Sequence, residues 1–413
     1  MTLYSILLLL VLLFAITPAF GADEFMIVPG CGPRTDTDLE ARYAEIAECN
    51  FNYAPPPVDY YAVTVEINKK ILDICARHHM KYLVCDQRIQ RLVLGKPEEL
   101  AEGVTADVDG VIADYKGYPA LAGYSGFDEP WIFSFFWVAR VVSSFSQKDP
   151  DHPITSNLLP NYASAEAFGS GGYEDYVDKY CTIVKPKMLS FDHYAIFKDH
   201  IAEAAYFENF EIIRRQGLKH KLPVWCYVLI TPVGALRSPT EAEIRWQVNT
   251  ALAYGVKAIQ YFTYWTPPGD YWGGPGAITW DGKKTEHYDQ IKRVNLGLKM
   301  MAPVLGKLSS IAVYHTGKLL PQCKPLDSKS PVQVESDVPL AIGLFKHKDR
   351  SKWAIIVNRS LTRDAAVKMS FEPSVTSVKA LNQTNGALED ITLNNGKASV
   401  NLREGDACLL KLR

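Results

Sequence analysis

From residue 25 the chain alternates short apolar runs with longer stretches whose apolar residues recur at helical spacing. Phe25 to Val28 reads as a first strand running into Pro29-Gly30-Cys31-Gly32, with a helix from Asp38 to Cys49. Phe51 to Ala54 is a second strand, closed by three prolines, and its helix carries Val63, Ile67, Ile71, Ile74 and Cys75. Tyr82 to Cys85 is the third, ending at Asp86, with a helix from Pro97 to Tyr115 that stops near Gly117. Leu121 to Glu129 is the fourth, followed by a Phe/Trp-rich helix starting at Trp131. Ile154 to Leu159, Met188 to Ile196, Pro223 to Thr231 and Ala258 to Trp265 supply strands five to eight. Helical patterns separate them over Tyr173 to Val184, over Ile201 to Gln216, and around Ile244, Val248, Ala251 and Leu252.

Strands that alternate with helices pair in parallel through right-handed crossovers, and eight units in about 280 residues fit a closed (β/α)8 TIM barrel. A doubly wound open sheet is disfavoured, because the first strand-to-helix turn has no dinucleotide fingerprint and no P-loop occurs. After residue 305 the period changes to two. Ala341 to Phe345, Trp353 to Asn358, Ala366 to Phe371, Val378 to Leu381, Ala398 to Leu402 and Ala407 to Leu412 are separated by turn signals such as Asn385-Gly386 and Asn395-Gly396. They predict a small antiparallel β-sandwich, while Pro321 to Pro339 reads as a surface excursion. The expected division is 1–21 signal peptide, 22–305 barrel and 306–413 sandwich.

Composition narrows the function. With 413 residues, 47% of them hydrophobic, the chain can bury one large and one smaller core. A formal net charge of -2 and no long Lys/Arg run argue against nucleic acid or an anionic membrane as partner. Ile6 to Phe14, with Pro18 and small residues up to Gly21 and Ala22, reads as a secretory leader cleaved near Gly21 or Ala22, although its n-region lacks Lys and Arg. A secreted or periplasmic protein with no remaining membrane span is the expectation. Eight cysteines are spread singly, without a C-x-x-C pair or a histidine at ligand spacing, so no structural zinc is expected and no disulfide pairing is assigned.

A TIM barrel builds its site at the C-terminal ends of its strands. The polar and aromatic residues there are Asp86, Asp128, Glu129, Asn157, Asp192, His193, Tyr194, Tyr227, Tyr264 and Trp265, with Trp272 in the loop after strand eight. Glycosidic cleavage needs one carboxyl to protonate the leaving oxygen and a second to attack the sugar or activate water. Glu129 fits the acid, since desolvation and repulsion from Asp128 both raise its pKa. The competing role for Asp128 or Glu129 is to cap the helix that follows. Asp192 is the preferred second carboxylate: strand alternation puts it on one face with Tyr194 and turns His193 the other way. A structural Asp192 is the alternative, and Asp86 and Asp270 are held in reserve. The rings of the strand-eight loop suit the C–H faces of a sugar, or else fold onto the barrel rim. No metal or organic cofactor is implied.

The Asp128-Glu129-Pro130 end of strand four, on a barrel followed by a β-sandwich, resembles the clan A glycoside hydrolases, whose fourth strand ends in Asn-Glu-Pro with the Glu as acid/base. In detail the chain is similar to exported, poorly characterised bacterial glycosidase-like proteins. The resemblance implies an exported hydrolase acting on an oligo- or polysaccharide, with Asp128 in place of an Asn that contacts the sugar 2-hydroxyl. It departs at strand seven, where the clan carries its nucleophile and this chain reads Val224-Trp-Cys-Tyr-Val-Leu-Ile230. The nearest acids, Glu241 and Glu243, sit at capping-box spacing from Ser238 and Thr240 and read as a helix start. The rival reading is a non-catalytic carbohydrate-binding barrel that has lost its nucleophile.

Overall fold

The computed structural model describes residues 23–95 and 103–413; the leader expected at 1–21 lies outside them, as does the start of the helix expected from Pro97. Eight parallel strands, β1 (Met26–Pro29), β2 (Tyr53–Ala54), β3 (Lys81–Val84), β4 (Leu121–Asp128), β5 (Ile154–Leu158), β6 (Leu189–Asp192), β7 (Val224–Leu229) and β8 (Ala258–Phe262), form one sheet in the order β1-β8-β7-β6-β5-β4-β3-β2. Between β1 and β2 the side-chain amide of Asn52 replaces the ladder, accepting from Ile27 N at 2.7 Å and donating to Phe25 O at 2.9 Å. Above it, Gly32 N bonds Pro56 O at 2.7 Å and Val58 N bonds Gly32 O at 3.1 Å. These contacts bring the two edges of the sheet together as a barrel.

Period-two alternation decides what fills the barrel. Met26, Val28, Tyr53, Leu83, Ala122, Met188, Trp225 and Ala258 pack into an apolar plug inside it. Further along the same inward rows the residues turn polar: Ser190 and Asp192 follow Met188, Tyr227 follows Trp225, and Gln260 follows Ala258. The outward rows meet the helices in a continuous core. Local signals place those helices well. Asp38 caps Leu39–Glu48, Thr64 caps Val65–Arg77, and Thr240 with Glu243 forms a reciprocal capping box on Glu241–Ala253.

The chain ends in two antiparallel sheets. One runs β10 (Val332–Glu335), β13 (Ala365–Phe371), β16 (Lys397–Leu402). The other runs β15 (Leu388–Ile391), β14 (Val378–Leu381), β17 (Ala407–Leu412), β12 (Lys352–Asn358), β11 (Leu340–His347), β9 (Leu308–His315). β10 lies inside the stretch expected to be a surface excursion, and β9 and β15 were not expected. The larger sheet is buried on both faces: Ile342, Ile356 and Leu410 point toward the small sheet, while Ala341, Ile355 and Leu409 join the barrel's outer core. That contact also buries helix Glu241–Ala253 nearly all round, its polar Gln247, Asn249 and Thr250 included. All eight cysteines are free thiols. No helix among the described residues is long and apolar enough to cross a membrane.

Candidate active site

A cleft of about 1190 Å³ opens at the C-terminal ends of the strands. Its charged lining residues are Asp128, Glu129 and Asp192; among the described residues no Lys, Arg or His side chain lines it.

Backbone geometry positions Glu129. Between Tyr124 and Phe127, β4 carries one residue more than β5, a bulge that re-aims the strand end. Gly126 sits in it because a Cβ there would lie 2.4 Å from Thr155 O. Glu129 then adopts a left-handed conformation at φ 46°, a strain of about 1 kcal/mol for a residue with a Cβ. It is held there by its own N–H, which donates to Asn157 O at 2.8 Å, and by Tyr176 Oη, which donates to Pro130 O at 2.8 Å. The side chain is thereby turned into the cleft, and neither Asp128 nor Glu129 caps the next helix.

Asp192 ends β6 with 5% of its surface exposed. Asn157 Nδ2 donates to its Oδ1 at 2.7 Å. The amide is fixed in that sense from behind: Gln260 Nε2 donates to Ser190 Oγ at 3.0 Å, and Ser190 Oγ donates to Asn157 Oδ1 at 2.9 Å. A polar file from β8 through β6 to β5 thus points a donor at the carboxylate.

Burial without a counter-cation raises all three carboxyls. Glu129 is pushed up to about 7, first by desolvation and then by Asp128. Asp192 is raised well above the usual carboxylate range by desolvation, with Glu129 and Asp128 adding repulsion and Asn157 partly opposing. Asp128 is open to the cleft, yet the surrounding protein mass desolvates and raises it. The three titrate as one group, in which full ionisation is disfavoured.

Asp128, Glu129, Asn157, Asp192, Tyr194 and Tyr227 all line the cleft. The other sequence candidates do not. Asp86 caps helix Gln87–Leu94 and accepts from Arg88 Nε at 2.9 Å, Arg88 Nη2 at 2.8 Å and Tyr115 Oη at 2.6 Å; with every lone pair engaged its pKa falls, and it is a structural group. His193 is buried behind the strand, bonded through Nδ1 to Asn209 Oδ1 at 3.1 Å. Tyr264 and Trp265 fold against the first strand's loop, donating through their N–H groups to Gly30 O and Cys31 O at 2.7 and 2.9 Å, and both rings are buried. Trp272 packs on Phe262 at 5.6 Å. The strand-eight loop therefore lies down on the rim, leaving Tyr271 facing the cleft.

Sequence reasoning missed Ser190 and Gln260, although each lies two residues before an inward-facing strand end and the period-two rule reaches both. It also missed Tyr162, Phe133 and Trp137, whose side chains come from turns and helix starts that strand counting does not address.

No family model matches the sequence, and no curated protein is similar to it in sequence. Solved structures do match. A β-galactosidase from Bacillus circulans sp. alkalophilus aligns with a TM-score of 0.60 at 8% identity, over 95% of this chain and 99% of that one. An α-amylase from Geobacillus thermoleovorans, complexed with acarbose, aligns with a TM-score of 0.57 at 10% identity, over 95% and 98%. For a β-galactosidase from the psychrophilic Marinomonas ef1 the TM-score is 0.52 at 11% identity, and the match covers 67% of this chain and 60% of that one. The likeness to these glycoside hydrolases, at about 10% identity, is one of fold alone.

Proposed function

We propose that the protein is an exported glycoside hydrolase that cleaves O-glycosidic bonds of an oligo- or polysaccharide. The observation that carries this reading is Glu129: a carboxyl at the end of β4, strained into the cleft and pushed to about 7, beside a second buried carboxyl on β6, with no cation lining the cleft among the described residues. A carboxyl near 7 is about half protonated at neutral pH and acidic enough to give its proton to a leaving oxygen. Glu129 supplies that proton as the glycosidic C–O bond breaks. Asp192, ionised in the reacting complex, faces the positive charge that develops at the anomeric carbon, and either bonds to that carbon or takes a proton from the attacking water. Asn157 steadies the Asp192 anion, and Asp128 and the Tyr194 and Tyr227 hydroxyls are placed to receive sugar hydroxyls.

Turnover of aryl glycosides or neutral polysaccharides by the wild type, lost in Glu129→Gln, tests the proposal. A second reading, a carbohydrate-binding barrel without turnover, is favoured by one feature: β7 ends in Tyr227 and Leu229 with no carboxylate. Binding by the wild type with no hydrolysis of any substrate in the panel would establish it.

A further inference from the structure

Directly after Glu129 the chain builds a ledge of rings. Trp131, Phe133 and Phe136 are 43%, 74% and 77% exposed, while the residues interleaved with them, Ile132, Phe135 and Trp137, pack downward. Six residues thus present three large apolar rings to solvent over an anchored base. The anchors are specific: Ser134 Oγ donates to Trp131 O at 2.7 Å, Trp137 Nε1 donates to Leu92 O at 2.9 Å, and Ile132 rests against Gly169. Trp131 and Phe133 meet edge to face at 5.5 Å, which fixes their relative tilt. The segment from Pro130 to Ala139 carries no charge.

An exposed apolar patch of this kind marks a binding surface. Its continuity with the cleft says what covers it: Pro130, Phe133 and Ser134 line the cleft as well, so one surface runs unbroken from Glu129 onto the ledge. The cleft itself exceeds the roughly 300–1,000 Å³ of ordinary small-ligand sites. Sugar rings offer apolar C–H faces to aromatic planes while their hydroxyls stay in water, which suits rings exposed as these are. The absence of basic residues on the ledge disfavours an anionic membrane or an acidic glycan.

We propose that Trp131, Phe133 and Phe136 form an extended subsite that holds the continuing chain of a neutral polysaccharide on the far side of Glu129 from Asp192, so that the substrate is a polymer. The inference rests on the glycosidase reading for the identity of the cleft, and its test is separable from that reading. Affinity electrophoresis of the full chain through gels containing amylose, galactan, xylan or hydroxyethyl cellulose is expected to show retardation in at least one. Each ring truncated to alanine weakens it two- to tenfold, Trp131→Ala/Phe133→Ala/Phe136→Ala abolishes it, and Phe133→Trp preserves it. Glu129→Gln leaves retardation intact, so a protein that is retarded but hydrolyses nothing keeps the ledge and loses the glycosidase reading. Hydrolysis of aryl glycosides with no retardation in any gel, or with retardation unchanged in the triple variant, overturns the ledge and keeps the glycosidase. Sedimentation covers the other occupant: a dimer that the triple variant converts to monomer would assign the ledge to a second copy and overturn the proposal.

Discussion

Replacing Glu129 with glutamine keeps the shape of the side chain and removes its titration. The group sits near 7 in the folded protein against an ordinary 4.5. Ionising it in place therefore works against folding by about 3 kcal/mol, and solvent in the open cleft reduces that to about 1–2 kcal/mol. The sign follows from proton counts. Between pH 4.5 and 7 the folded state holds more protons than the unfolded one, so wild-type stability falls as pH rises through this window and levels off above it. Glu129→Gln is expected to match the wild type at pH 4 and to exceed it by about 1–2 kcal/mol at pH 8, while turnover drops by about 10²–10⁴. In a chain of this length the gain is about 1–3 °C in Tm. Thermal and urea unfolding of both proteins at pH 4 and 8, beside activity, measure it. A variant less stable than wild type at pH 8, or a difference independent of pH, would refute the claim that the cleft holds Glu129 as an uncompensated buried acid.

The same proton makes wild-type kcat/KM fall as pH rises through about 7, a limb that a pH–rate profile will locate. Asn157→Leu removes the donor at Asp192, so Asp192 ionises at higher pH and the acidic limb of that profile moves upward. Asp86→Ala removes the buried acceptor of Arg88 and Tyr115, while Arg88 keeps Asp114, and is expected to cost about 1–3 kcal/mol of stability in urea unfolding while leaving KM unchanged, the reverse of what a substrate ligand would do. His315, buried between Tyr254 and Arg359 where barrel meets sandwich, is pushed down to about 3 and stays neutral when folded. It binds a proton on unfolding below pH 6.5, so stability is lost at up to about 1.4 kcal/mol per pH unit as pH falls from 6.5 to 3, and His315→Gln flattens that slope.

The barrel was legible because parallel strands buried on both faces leave short apolar runs, and the helices between them begin at capping residues such as Asp38, Thr64 and Thr240. Glu129 was legible because its address follows from counting strands. Its backbone conformation was not, since the left-handed turn comes from a β4 bulge set against β5, a tertiary pairing. Asp86 misled for a related reason: a strand-end Asp is also an ideal N-cap, and only the positions of Arg88 and Tyr115 decide between the two. Helix Glu241–Ala253 showed one apolar face because the sequence records what packs on the barrel, whereas the sandwich buries its other side through Asn249, whose Nδ2 donates to Gly405 O at 2.8 Å. β15 stayed hidden because Leu-Glu-Asp-Ile carries no period-two signal, and β10 because its alternation of Val332 and Val334 with Gln333 and Glu335 is only four residues long inside a polar, proline-bounded stretch.

In the proposed reaction, strand six is a workable home for the second carboxylate because no Lys, Arg or His among the described residues lines the cleft. Beside an arginine Asp192 would remain ionised at rest, and its attraction for a developing positive charge would already be satisfied. Here the anion is costly, opposed by burial and by Glu129 and Asp128, and steadied by one amide. In the proposed reaction a sugar approaching its oxocarbenium-like transition state brings the missing positive charge, which offsets the repulsion on Asp192 from Asp128 and from the Glu129 carboxylate that proton transfer leaves behind. The electrostatic cost present at rest is offset only in the transition state, which is the condition for differential stabilisation. By the same logic a cation built into the cleft should impair catalysis more than it impairs binding. Gln260→Lys, introduced beneath Ser190, is expected to lower kcat more than Gln260→Leu, which breaks the same hydrogen-bond file without adding charge, and equal losses in the two variants would refute an electrostatic role for Asp192.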